Sequence, residues 1–293
     1  MSTEPNSIVI TGANGLLGKA LCETLLAENF KIFALVKKVP DKTLSGIEYV
    51  SCDFTNDLDV LESLGQVDVV VHLAQSHRFR EFPDGAEDIF AVNVASTHKL
   101  LEYARKSSVS HFVYASTGGI YLNGKSAITE NSPISSASQL GPYFGSKMCG
   151  EILTQNYSSC FFTSIIRPFF IYGAGQNRSM LIPRLYDKVS NSELIELQGQ
   201  NGIKINPIHV KDAARTVFEL IRKPQSTTFN IAGSEILSIR QIVEQIAEYL
   251  AEAPNFDFVD GEPKDLIADI SLMRSRLYDP KCTFKQSLHD LVR

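Results

Sequence analysis

The chain has 293 residues, with 28 Lys and Arg against 33 Asp and Glu, a formal net charge of −5, 44% hydrophobic residues and 21% charged ones. These values exclude a disordered chain, a collagen-like repeat and a low-complexity array. The slightly acidic balance gives no global field that would draw in nucleic acid, so an anionic ligand has to meet a local basic patch.

Five cysteines (Cys22, Cys52, Cys149, Cys160 and Cys282) are odd in number and contain no C-x-x-C pair. That is the usage of a reducing compartment rather than of a disulfide framework or zinc site. The leading segment is polar, and the longest strongly apolar stretch, Val67–Ala74, is interrupted by Asp68 and His72. The expectation is a cytoplasmic chain without a membrane span.

In chain order, Ser7–Thr11 reads as a buried strand, and Leu16–Glu28 carries Leu17, Ala20, Leu21 and Leu25 at helical spacing. Strands follow at Lys31–Val36, Ile47–Ser51 and Val67–Leu73, then a long helix at Glu87–Lys106. A strand at His111–Ala115, a helix at Tyr143–Gln155 and a strand at Phe161–Pro168 continue the alternation. Val/Ile runs alternating with helices imply parallel strands covered on both faces, an α/β fold with a doubly wound parallel sheet. After about Tyr172 the segments become shorter and richer in Asn, Gln, Gly and Pro, although Val210–Arg222, Ser238–Ala251 and Phe284–Val292 still read as helices.

Thr11-Gly12-Ala13-Asn14-Gly15-Leu16-Leu17-Gly18 joins the first strand to the first helix. Its glycines permit a tight turn and close approach of a pyrophosphate, and the helix N-terminus supplies free N–H groups. The spacing is G-x-x-G-x-x-G rather than G-x-G-x-x-G. The second strand ends at Val36, followed by Lys37 and Lys38. No carboxylate is offered to a ribose 2′-hydroxyl, and two ammonium groups suit a 2′-phosphate. NADP is therefore the preferred cofactor and NAD the alternative; both lysines can equally be solvated charges after a strand end. Asp53 is placed either to accept from an adenine amino group or to serve as an acid near a helix start.

Tyr143 and Lys147 lie four apart, which stacks both on one helix face. An adjacent ammonium favours the phenolate, so the pair is expected to lower the tyrosine pKa and shuttle a proton for an alcohol/ketone couple. Ser116 and Thr117 end a strand at the sheet edge where ligands sit. The six histidines (His72, His77, His98, His111, His209 and His289) show no metal-ligand spacing, so no metal is expected.

Several elements in order resemble the extended short-chain dehydrogenase/reductase family, in its nucleotide-sugar epimerase/dehydratase branch. They are Thr11-Gly12-x-x-Gly15-x-x-Gly18, Asp53-Phe54, His72-Leu73-Ala74, Val92-Asn93-Val94 and Ser116-Thr117 with Ile120-Tyr121. They continue through Tyr143-x-x-Ser146-Lys147-x-x-x-Glu151, Arg167-Pro168-x-x-x-Tyr172-Gly173, Pro207-Ile208-His209-Val210-x-Asp212 and Phe229-Asn230-Ile231-Ala232-Gly233. The resemblance implies a Rossmann domain over 1–172 and 204–231 and a smaller C-terminal α/β substrate subdomain over 173–203 and 232–293. It implies a catalytic triad of Thr117, Tyr143 and Lys147, with Lys147 bridging the nicotinamide ribose. Gly12, Asn14, Gly15, Leu16 and Gly18, then Lys37, Asp53, Phe54, Leu73, Ala74, Asn93 and Pro168, are implied to line the cofactor. A homodimer through Glu87–Lys106 and Tyr143–Gln155 is also implied, with Leu100, Leu101, Ile152 and Leu153 as candidate contacts.

Three departures concern the substrate. Phe170 stands where sugar-nucleotide members keep an Asn, and Ile205 and Glu262 stand where they present Arg. Ile and Glu cannot give a guanidinium's bidentate phosphate contact. Arg178, Arg184, Lys204 and Lys264 are the candidates to compensate, with Thr117 and Phe170 as further substrate residues. The expected reaction is reduction of a 4-keto sugar nucleotide. An NAD-dependent 4-epimerase is the alternative, and a non-catalytic cofactor sensor ranks below both because the Tyr/Lys pair is intact.

Overall fold

The computed structural model describes residues 5–56, 58–122 and 126–292, so the first four residues of the polar leading segment lie outside it. The first half alternates Ser7–Thr11 (β1), Leu16–Ala27 (α1), Lys31–Val36 (β2), Ile47–Ser51 (β3), Val69–His72 (β4), Ala86–Phe90 (α2), Ser96–Lys106 (α3) and His111–Ala115 (β5). Ala137–Asn156 (α4), Phe162–Pro168 (β6), Ile171–Tyr172 (β7), Leu181–Ser190 (α5), Leu194–Gln198 (β8), Lys204–Ile205 (β9) and Ile208–His209 (β10) follow. The chain continues through Val210–Arg222 (α6), Thr228–Ile231 (β11), Leu237–Ser238 (β12), Ile239–Leu250 (α7), Asn255–Val259 (β13), Ser271–Arg276 (α8) and a 3-10 turn, Lys285–Val292.

The main sheet has seven strands in the order β11-β6-β5-β4-β1-β2-β3. Its registered pairs, β1 with β2 and β4, β2 with β3, and β5 with β4 and β6, are all parallel. On one face Val9, Phe33, Leu35, Val70, Phe112 and Ile165 form a core with Leu100, Leu101 and Ala104 of α3. The alternating residues Ile8, Ile10, Ala34 and Val71 are equally buried. With side chains of successive strand residues pointing to opposite faces, both faces are covered, as the continuous Val/Ile runs require. Each fully buried Leu or Val contributes about 1.5–3 kcal/mol.

By compactness the chain forms two units. One runs through Ile120 and adds Ile134–Arg167 and Ala214–Phe229; the other comprises Tyr121–Pro133, Pro168–Ala213 and the stretch from Asn230 on. The second unit thus takes in 121–133, 168–172, 204–213 and 230–231, which the sequence reading assigned to the first. Asn230 ties 121–133 into it by donating to Ile128 O at 2.9 Å and accepting from Tyr121 at 2.8 Å. Asn206 does the same for the 204–213 stretch by donating to Ala268 O at 2.9 Å. Small two-stranded sheets, β7–β10, β9–β12 and β8–β13, and helices α5 and α7 give this unit its own core around Ile182, Leu185, Ile242 and Ile246.

Two helices differ from expectation. The long helix expected over Glu87–Lys106 is interrupted by a π-helical turn at Ala91–Ala95. Helix α4 begins earlier than expected, behind a capping box of Ser136 and Gln139, and then breaks at Gly141 (φ 63°). Pro142 opens the segment that carries Tyr143, a position where its missing N–H costs nothing. Of the four candidate dimer contacts, Leu100 and Leu101 are wholly buried in the core and Leu153 packs against it, while Ile152 is exposed. Among the described residues no helix is long and apolar enough to cross a membrane.

The seating of α4 on β5 depends on Gly150. A Cβ there would lie 2.1 Å from the Tyr114 hydroxyl oxygen and 2.3 Å from its ring, whereas a Cβ on Gly145 would meet open space. Gly150→Ala is therefore expected to lower stability by about 1–3 kcal/mol through overpacking. Gly145→Ala, in the same helix, should be neutral or stabilising by up to about 1 kcal/mol. Urea unfolding midpoints of the two variants check the contrast.

Candidate active site

The parallel strands β1, β2, β4 and β5 deliver their C-terminal ends to one edge, with Thr11 registered opposite both Leu35 and His72, and His72 opposite Tyr114. At that edge Gly12 turns with φ +68°, and a Cβ on it would sit 2.8 Å from the Ala74 nitrogen. A Cβ on Gly18 would sit 2.3 Å from Gly12 O, so only glycine lets α1 close on the loop. The N-cap of α1 is Gly15, with no side-chain cap and no acid in the first turn. Its first-turn N–H groups, beside a backbone no side chain obstructs, fit a dinucleotide pyrophosphate.

Asn14 Nδ2 donates to Lys38 O at 3.0 Å, pinning this loop to the exit of β2. Lys37 Nζ lies 3.0 Å from Asp53 Oδ2. Thr55, donating from its backbone and hydroxyl, and Lys37 hold the Asp53 carboxyl below its usual range. The two residues expected to touch opposite ends of an adenosine are thus partnered with each other. Leu16 and Leu73 are half-buried, while Phe54 and Ala74 belong to the hydrophobic core.

His72, 1% exposed, sits between two threonines. Thr97 Oγ1 donates to Asn93 O at 2.8 Å, so it accepts from His72 Nε2 at 2.9 Å. Thr11 Oγ1 accepts from Ala74 N at 3.1 Å and donates to His72 Nδ1 at 2.7 Å. This network assigns the Nε2–H tautomer. Burial, with the Lys147 charge adding to it, lowers the His72 pKa to about 3, so the ring is neutral.

Asn93, on the π-helical turn, is 1% exposed. Its Oδ1 accepts from Ser76 N at 2.8 Å, and its Nδ2 donates to Ser146 Oγ at 2.9 Å. Ser146 Oγ in turn donates to Tyr143 O at 2.7 Å. Tyr143 closes the ring, its hydroxyl donating to Gln75 Oε1 at 2.8 Å. Phe79 and Phe144 pack on the Tyr143 ring at centroid distances of 4.9 and 5.2 Å.

Lys147 is 1% exposed and donates to Ala115 O at 2.9 Å. Burial lowers its pKa to about 7, against the raising effect of Glu151. Glu151, itself buried, is held bidentately by Arg167 Nε at 2.9 Å and Nη2 at 2.6 Å. Burial pushes Tyr143 up to about 12, with Arg80 pulling the other way. The expected lowering of Tyr143 by Lys147 is thereby corrected: the ammonium is engaged by the Ala115 carbonyl, and desolvation of the phenol dominates. Thr117 Oγ1 accepts from Gly119 N at 3.1 Å, and the buried Ser116 hydroxyl has no partner among the described residues.

The first unit therefore gathers the glycine loop, Lys37, Asp53, Ala74, Asn93, Thr117, Tyr143 and Lys147. Pro168, Phe170, Arg178, Arg184 and Lys204 belong to the second unit. There Phe170 has a left-handed φ of 31°. Arg178 is paired with Asp187 and donates to Leu291 O at 3.0 Å, so its guanidinium is engaged within the unit. Arg184 and Lys204 are exposed, Ile205 is fully buried, and Glu262 is exposed. Sequence reasoning missed Gln75 and the Phe79–Arg80 pair; the available signal was that Gln75 directly follows His72-Leu73-Ala74 at a strand exit.

The neutral histidines predict acid lability. His72 near 3 and His111, lowered by burial to about 4, both titrate below the ordinary 6.5. The unfolded chain binds protons that the folded chain refuses, so stability is full above about pH 6.5 and falls as pH drops toward 3. Each such histidine should cost about 2 kcal/mol between pH 6.5 and 5. Urea unfolding at pH 7 and 5 checks this, and His72→Gln should shrink the difference by about that amount.

A model of the NAD dependent epimerase/dehydratase family matches residues 8–232. The chain is 28% identical to the uncharacterized UDP-glucose epimerase YtcB of Bacillus subtilis (strain 168), over 96% of this chain and 95% of the relative. It is 24% identical to dTDP-4-dehydro-6-deoxy-D-allose reductase of Streptomyces bikiniensis, over 88% and 85%. Among solved structures, MoeE5 in complex with UDP-glucose and NAD matches with a TM-score of 0.83 at 22% identity, over 98% and 97% of the two chains. UDP-glucuronic acid 4-epimerase from Bacillus cereus, in complex with UDP-glucuronic acid and NAD, matches with a TM-score of 0.83 at 23% identity, over 97% and 96%. The structural likenesses establish the shared Rossmann-type fold, and the family match, spanning most of the sequence, shows that this chain belongs to the NAD dependent epimerase/dehydratase family.

Proposed function

We propose that the protein is an NAD(P)-dependent oxidoreductase that transfers hydride at a secondary alcohol or ketone carbon of a sugar nucleotide, with NADPH-dependent reduction of a 4-keto sugar as the preferred reaction. The observation that carries this reading is the protonated Tyr143 hydroxyl, donating at 2.8 Å to a carbonyl-type oxygen one helical turn from the buried Lys147. Ketone reduction needs such a donor. A nicotinamide dinucleotide, when bound, supplies or accepts the hydride.

The remaining work falls to the chain. The α1 N-terminus and the Gly12–Gly18 backbone hold the pyrophosphate. The substrate ketone oxygen would take the place of Gln75 Oε1 and accept the Tyr143 proton, while the Thr117 hydroxyl would orient that oxygen. Lys147, one helical turn away and with a pKa near 7, returns a proton to the phenolate at neutral pH. Lys37 and Lys38 meet a 2′-phosphate. The Lys37–Asp53 pair is largely exposed and worth under about 1 kcal/mol, so it yields readily to a better anion. The first unit binds the cofactor, and the second binds the substrate through Phe170, Arg184 and Lys204. Five unpaired thiols suit a cytoplasmic setting, and a homodimer through α4 would use the exposed Ile152.

The names of the Streptomyces bikiniensis reductase and of the two UDP-sugar complexes support a sugar nucleotide as substrate. A second reading, a 4-epimerase with tightly held NAD, is favoured by the Lys37–Asp53 pairing and by the name of the Bacillus subtilis relative. Tyr143→Phe should lower turnover of a 4-keto sugar nucleotide at least about a hundredfold, measured as NADPH oxidation. Fluorescence titration should show NADPH binding more tightly than NADH. Equal affinities, or stoichiometric NAD released on denaturing the purified protein, would move the assignment to the epimerase.

A further inference from the structure

We propose that Gln75 is the positioning residue for Tyr143: its side-chain carbonyl occupies the place of a substrate ketone oxygen, aims the phenol proton and keeps the phenol protonated until substrate arrives. The proposal deepens the reading of Tyr143 as proton donor and rests on it.

The geometry is a closed ring. Gln75 lies directly before Ser76, whose N–H is fixed on Asn93 at 2.8 Å, and Asn93 holds Ser146 at 2.9 Å. Ser146 grips the Tyr143 carbonyl at 2.7 Å, and the Tyr143 hydroxyl returns to Gln75 at 2.8 Å. The backbones of both partners are therefore fixed by one buried amide, which leaves the Gln75 side chain as the adjustable link. A further clamp acts on the Gln75 side of the ring: Ser76 Oγ bonds the Asp88 carboxylate and accepts from Arg78 N at 3.0 Å.

The orientation of the carboxamide decides the chemistry. With Oε1 toward the phenol, the hydrogen bond is made only by the neutral hydroxyl and disfavours ionisation. With Nε2 toward it, the bond would favour the phenolate. The phenol keeps its proton and donates it in a hydrogen bond to the carboxamide oxygen, the contact a ketone oxygen would make before proton transfer. The other charged and titratable groups around Tyr143 are Arg80 from the segment after β4, Tyr114 from β5, and Lys147 and Glu151 from its own helix. Glu151 is neutralised by Arg167, and Lys147 is turned to Ala115. Gln75 is the group that touches the hydroxyl itself.

The test needs no substrate. The full chain is produced with 3,5-difluorotyrosine, whose phenol titrates in a milder pH range, and followed by fluorine NMR. The Tyr143 resonance is assigned by its loss in Tyr143→Phe. In Gln75→Leu, which keeps bulk and removes the acceptor, the Tyr143 midpoint should fall by roughly half to one pH unit, about three- to tenfold in the ionisation constant. In Gln75→Glu a carboxylate facing the phenol should raise it. The other tyrosine resonances report that the fold persists. If Gln75→Leu does not fold, Gln75→Asn withdraws the acceptor and takes its place with the same expected sign. An unchanged midpoint in both variants, or a rise in Gln75→Leu, overturns the proposal. Turnover retained by Tyr143→Phe would instead overturn the proton-donor reading while leaving the effect of Gln75 on the Tyr143 midpoint intact.

Discussion

One buried amide holds the site together. Asn93 joins the loop leaving β4 to the helix carrying Tyr143 and Lys147, through Ser76 on one side and Ser146 on the other. It can do so because the π-helical turn at Ala91–Ala95 interrupts the regular helix at this residue. π-turns recur at functional sites for this reason: they re-aim a side chain that a regular helix would direct elsewhere. Thr97 donates to Asn93 O and carries the order on to His72 and Thr11. A polar chain thus runs from the end of β1 to α4 with every member satisfied, which rigidifies it and makes any partial loss costly.

Desolvation, more than charge pairing, sets the protonation states. Tyr143, Lys147 and His72 are all pushed toward their neutral forms by burial. The neighbouring charges modify this without reversing it: Glu151 supports the Lys147 ammonium, and Arg167 compensates Glu151 by a bidentate contact.

The second unit follows different rules. Its core of Ile182, Leu185, Ile242 and Ile246 is ordinary, and its distinctive residues are substitutions: Phe170, Ile205 and Glu262 where an amide and two guanidiniums were expected. Ile205 is fully buried in the β9–β12 pairing, so an arginine could not be placed there without rebuilding this small sheet. Arg178, a candidate replacement, is bound by Asp187 and Leu291. Arg184 and Lys204 of this unit are exposed.

Much of the fold was legible because its signals are local. β1, β2, β3 and β5 are rich in β-branched and aromatic residues and their limits are already marked in the sequence, and the glycine loop advertises its turn by residue type alone. The spacing of Tyr143 and Lys147 likewise follows from helix geometry. The sequence by itself therefore determined the sheet, the loop and which residue types share a face. Tertiary structure alone decided how those side chains are partnered: Lys37 to Asp53, Arg178 to Asp187, Lys147 to Ala115 and Tyr143 to Gln75. These pairs lie between 9 and 68 positions apart, and no local pattern encodes them. Burial, which decides whether a phenol or an ammonium keeps its proton, exists only once the chain has closed around it.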